Sequence, residues 1–89
     1  MISTINYAKL KHILLKNFKN QRICIEITGI ITTTVIIDNA RILINKNKFI
    51  LANEETQFEL EFLMVNKIKF DEKWHIQIFF DEFKIVLEV

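Results

Sequence analysis

Proline is absent from this chain, glycine occurs once, at Gly29, and cysteine once, at Cys24. A phosphate-cradling loop needs several glycines, because backbone N–H groups must reach the oxygens without side chains in the way. One glycine cannot build it, so no nucleotide or other cofactor site is expected. A lone cysteine leaves no internal disulfide and fits a reducing compartment, which makes a cytoplasmic protein the plain expectation. Long apolar runs are missing too. The longest span four residues, such as Phe62 to Val65, against roughly 18 for a membrane-spanning helix. Lys9, Lys11 and Lys16 break up the apolar stretch that a secretory signal would require.

Scarcity of the reactive residue types argues against an enzyme. The only histidines are His12 and His75, and with Cys24 they show no paired spacing for a tetrahedral metal set. Cys24 with either histidine lacks a recognisable third group to orient a base, and such a cysteine reads as a small buried hydrophobe. Asp71-Glu72 and Asp81-Glu82 look like paired carboxylates but fall where turns are expected, where they would be solvated.

What is present is apolar and β-branched. Hydrophobic residues make 51% of 89, at the upper end for a soluble domain. Ile (17), Lys (10), Asn (8) and Phe (8) dominate. These residues have AT-rich codons and suggest an AT-rich genome, such as that of a low-GC bacterium or a phage. The length fits one domain, 1–89. Net charge is +1 but unevenly placed: residues 1–22 carry +5, residues 23–52 carry +1 and residues 53–89 carry −5. A molecule with a basic and an acidic end follows.

Residues 4–19 predict one helix. Tyr7, Leu10, Leu14 and Phe18 form its apolar stripe, and Ser3 or Thr4 is the expected N-cap. After Asn20 the period changes from 3.6 to 2. Strands are expected around Ile23–Ile27, Ile31–Ile37, Arg41–Asn45, Gln57–Val65, Trp74–Phe80 and Phe83–Val89, with shorter apolar stretches at Phe49–Ala52 and Ile68–Phe70 and a helix from Asn53 as the competing reading for 53–65. Asp38-Asn39 and Asn47 suit tight or left-handed turns. Neighbouring strands joined by short connections predict a meander. The expected fold is therefore α+β: a helix in 1–20, then a six- to seven-stranded antiparallel meander in 21–89, as a curled sheet or a small Sm/SH3-like barrel. Gly29 is expected to be the corner at which a strand bends.

A helix followed by a small bent barrel resembles the Sm-like RNA-binding architecture. "GIITTTVIIDNARILI" is similar to the first Sm motif in a glycine, an Asp after apolar residues and an asparagine. It departs in lacking the second glycine and in placing Asn39 directly after Asp38. "VNKIKF" lacks the glycine of the second motif. No RNA-site residue is therefore carried over.

Two polar surfaces are candidates. Lys9, His12, Lys16, Lys19 and Arg22 could follow a nucleic-acid backbone by counterion release. Glu54, Glu55, Glu59 and Glu61 could form an acidic protein-contact face, as in a small phage- or mobile-element-encoded inhibitor such as an anti-CRISPR protein. The apolar surplus outweighs both. Apolar triplets such as "VII" (35–37), "ILI" (42–44), "FIL" (49–51) and "IVL" (85–87), and the run "FLMV" (62–65), leave no polar face and read as strands buried on both sides. A short helix cannot cover them all, and the last strand is expected to present an open edge. The expected function is a non-catalytic protein-interaction module, self-associating through apolar β surface or edge strands.

Overall fold

The computed structural model describes residues 2–71 and 75–89. In chain order it contains β1 (Ile2–Ile5), α1 (Tyr7–Ile13), a wide π-helical turn (Leu14–Phe18), β2 (Ile23–Thr28), β3 (Thr32–Ile37), β4 (Arg41–Ile44), β5 (Lys48–Ala52) and β6 (Gln57–Glu61). A 3-10 turn (Phe62–Met64), β7 (Lys67–Asp71), β8 (His75–Phe79) and β9 (Lys84–Glu88) complete it. The α+β class is as expected: one N-terminal helix and antiparallel β-structure. The described strands number nine and form two open sheets, ordered β1-β7-β8-β9-β2-β3 and β4-β5-β6, so no barrel closes.

The helix starts at Tyr7, the first residue of its apolar stripe, and not at residue 4. Residues 2–5 instead form a strand paired with β7, Ile5 opposite Ile68. The cap is Asn6, not Ser3 or Thr4. Its side-chain oxygen accepts from the Lys9 N–H at 2.9 Å, satisfying one of the donors a helix start leaves bare. Leu10, Leu14 and Phe18 all reach the core although four-residue steps overshoot an α-helical turn by about 40°. Widening the turn over Leu14–Phe18 unwinds that drift and keeps Phe18 facing inward.

Alternation decides the burial of the strands. Ile23 and Ile25, Phe49 and Leu51, Ile76 and Ile78, and Ile85 and Leu87 point inward, and they join the helix residues in one continuous core. Phe49 is fully buried, its ring centroid 5.6 Å from that of Phe62 and 6.3 Å from that of Phe58. Tyr7 meets Phe62 edge-on at 5.6 Å, which locks the start of the helix onto the end of β6. Among the described residues every buried side chain is apolar.

Several expectations are corrected. The final strand is no edge: β9 lies between β8 and β2, because it pairs with β8 through the 80–83 turn on one side and with β2 on the other. Residues 57–61 are strand, as preferred over helix, but the strand stops at Glu61 and Phe62–Met64 turns away. Gly29 lies in the loop after β2 rather than at a bend within a strand, and its φ is not positive. The left-handed residues are Asn20 (φ 61°) and Asn39 (φ 51°), and Asn47 is not among them. Trp74, expected at the start of a strand, and Glu72 lie outside the described residues.

Candidate interaction surface

One end of the six-stranded sheet is built from three neighbouring loops. Lys67, Phe79, Lys84, Thr28 and Thr32 face one another across β7, β8, β9, β2 and β3. The connections beyond that row therefore sit side by side: residues 62–66, 80–83 and 29–31. They are tied together. The Asn66 N–H donates to the Phe79 carbonyl at 2.8 Å, and the Asn66 side-chain amide donates to the Asp81 carboxylate at 2.6 Å. Phe80 and Phe83 stack with centroids 4.3 Å apart across the tight 80–83 turn, closed by Phe80 N–H to Phe83 O at 2.9 Å. Gly29 is needed here for a close approach, since a Cβ at that position would stand 3.0 Å from Phe83 Cβ and 3.3 Å from the Glu82 carbonyl.

These loops turn large apolar groups outward. Ile30 is 104% exposed, Ile31 75%, Leu63 86% and Met64 65%, with Phe83 at 40% beside them. The 62–65 stretch, expected to be a strand buried on both faces, thus contributes two of the most exposed side chains.

The outer sheet faces carry the middle residues of the apolar triplets. Ile36 and Leu43 are exposed, and Ile50 and Val86 are half-buried. On the large sheet the outer face is polarised. At the loop end Lys67 and Lys69 hold their ammonium groups 5.0 and 5.5 Å from the centre of the Phe79 ring, a cation–π arrangement, with Lys84 opposite Phe79. At the other end His75 sits between two carboxylates, Nδ1 4.0 Å from Asp71 and Nε2 3.6 Å from Glu88. Cys24 is half-buried across from Glu88, so it shares this face with His75 but has Glu88's strand between them. His12 is exposed on α1, away from both.

The predicted basic residues are all exposed. Lys9, His12, Lys16 and Lys19 are exposed along the helical segment. Arg22 instead ion-pairs with Asp38 of the β3–β4 turn. That carboxylate raises the arginine's pKa, and the guanidinium holds the Asp38 carboxyl below its usual range, mainly through the hydrogen bond. The predicted acidic residues divide. Glu54 and Glu55 occupy the β5–β6 turn beside Asp38, Asn39, Arg41 and Asn53, around an open depression of about 400 Å³. Glu59 and Glu61 lie on the outer face of the small sheet, and Glu59 pairs with Lys48 at 2.6 Å. That contact raises the lysine's pKa.

The feature that residue-by-residue reading missed is a strand edge. β3 ends the six-stranded sheet, and Thr32, Thr33 and Thr34 are exposed in succession although alternate residues should point inward. A signal was available: residues 28–37, "TGIITTTVII", contain no charge. No family model, curated protein or solved structure matches the chain.

Proposed function

We propose that this chain is a non-catalytic protein-interaction module that associates with itself. The observation that carries the reading is the surplus of large apolar side chains left in contact with water: five at the loop end of the large sheet, and Ile36 and Leu43 on the outer faces. Small monomers scatter such residues singly, whereas contiguous clusters mark contact sites. At the loop end these side chains share one end of the sheet, where residues 62–66 are hydrogen-bonded to the 80–83 connection and residues 29–31 approach it closely at Gly29. That end stands on paired strands, so a partner would meet a largely preformed surface and lose less ordering entropy on binding.

Light scattering and thermal melts over a concentration series test this reading. The expected results are a mass above 10.6 kDa and a Tm that rises with protein concentration, as mass action requires when only the folded state associates. A constant mass of one chain with a concentration-independent Tm overturns it.

A further inference from the structure

We propose that self-association, on the reading given above, occurs by antiparallel pairing of β3 with β3 of a second copy, joining two six-stranded sheets into one. An edge strand leaves alternate N–H and C=O groups unpaired and ready to bond another chain. Proteins usually blunt such edges with charges, proline, bulges or short length. The described strands differ in this respect. β6 carries Glu59 and Glu61, β4 carries Arg41, and β1 is only four residues long. β3 is six residues long, and its pairing with β2 runs without a bulge from Thr28↔Thr32 to Ile23↔Ile37. It has no charge and no proline, and all six of its residues are β-branched: three threonines, Val35, Ile36 and Ile37. High β-propensity, no charge and an open edge are the conditions for strand addition.

A second copy is the occupant that the chemistry favours. Pairing β3 with itself brings no like charges together, and β-branched residues meet β-branched residues across the junction, pairs that suit a sheet. The symmetry also closes. A two-fold axis perpendicular to the sheet makes the strands antiparallel and keeps outward residues on the same face, so even-numbered residues meet even-numbered ones. Centred on Thr34, this sets Thr32 against Ile36 of the second copy and Thr33 against Val35. The association stops at two chains, unlike pairing of β3 with β1, which would propagate. Thr33 faces the core side but is exposed. The same contact would cover that uncovered strip of the inner face.

The test compares three proteins by light scattering, with circular dichroism to confirm folding. Wild type is expected at twice 10.6 kDa. Thr34→Lys places two ammonium groups opposite each other at the axis, and Thr34 is exposed, so the fold should survive. Its dimer dissociation constant should rise at least tenfold. Lys46→Gln, in the exposed turn between β4 and β5 of the other sheet, should leave the dimer unchanged. Cys24→Ser/Thr34→Cys should oxidise to a disulfide-linked dimer, since facing residues of antiparallel strands lie within about 4.5–5.5 Å of each other, inside disulfide range. A Thr34→Lys dimer of unchanged strength together with no cross-link overturns the edge pairing while leaving self-association standing. Wild type at the mass of one chain overturns both. A mass that grows without limit replaces the closed pair with open-ended pairing and also overturns the proposal.

Discussion

At the scale of single residues, asparagine does the work that glycine and proline usually do. Asn6 caps the helix. Asn45 accepts from the N–H groups of Asn47 and Lys48 at 2.8 and 3.0 Å, and Asn53 accepts from those of Glu55 and Thr56 at 2.9 and 2.8 Å. Asn20 and Asn39 take the left-handed conformation. Each exploits a short side chain that can imitate a backbone turn. The asparagine content therefore has structural uses beyond any coding bias. The single glycine has a different reason. Gly29→Val would drive methyl groups into Phe83 and the Glu82 carbonyl, and the expected loss is about 1–3 kcal/mol of stability, measured by denaturant unfolding. Stability equal to wild type would show that the two loops separate freely. The Arg22–Asp38 pair predicts a pH dependence. Because the folded state lowers the Asp38 pKa, its contribution is present above the unfolded-state value and disappears as pH falls through the folded value. Asp38→Asn should therefore lower Tm slightly near neutrality and match wild type in strong acid. The effect is small because both side chains are well exposed to solvent. A Tm difference independent of pH would remove the pair from the account.

At the scale of elements, the helical segment and the small sheet meet through aromatic rings. α1 has seven residues, too few to persist alone in water. Its stability comes from the burial of Leu10, Ile13, Leu14 and Phe18 and from Tyr7 against Phe62. Phe49 holds the centre of that contact on β5, touching the rings from β6 and from the following turn. Phe49→Ala is expected to cost about 3–5 kcal/mol, enough to unfold a marginal domain. Loss of less than about 1 kcal/mol in a denaturant titration would mean that Phe58 and Phe62 collapse into the space. The π turn belongs to this scale as well. Its wider step brings Phe18 more nearly into line with Leu10 and Leu14 than a regular α-helix would.

At the scale of the whole molecule, sheet order decides where the sticky surfaces lie. Placing β9 and β8 in the middle of the large sheet hides the most regular apolar strands. The same order sends β3 to one margin and gathers three loops at one end. The charge segregation read along the chain does not survive folding as two poles. Arg22 is drawn to Asp38, Lys48 to Glu59, and Lys67, Lys69 and Lys84 from the acidic C-terminal segment make the basic patch around Phe79. No described helix is long and apolar enough to cross a membrane. The radius of gyration, 12.0 Å, is about what a compact chain of this length has. The exposed apolar groups are thus features of a fully collapsed chain and not of a loose one.

The sequence by itself determined which residues face inward, where most strands and turns fall, and that apolar surface would be left over. Those properties depend on period and on local backbone preference, which neighbours along the chain set. It misread β1, taking Thr4 and Ile5 for the start of the helix, because four residues beside a helical stripe carry too little alternation to register. Only the tertiary structure decided which strands became edges and which loops came together. Strand order comes from pairings between residues far apart in sequence, such as Ile27 with Ile85 and Ile5 with Ile68. An uncharged strand reads the same whether it is sealed between neighbours or left at the margin.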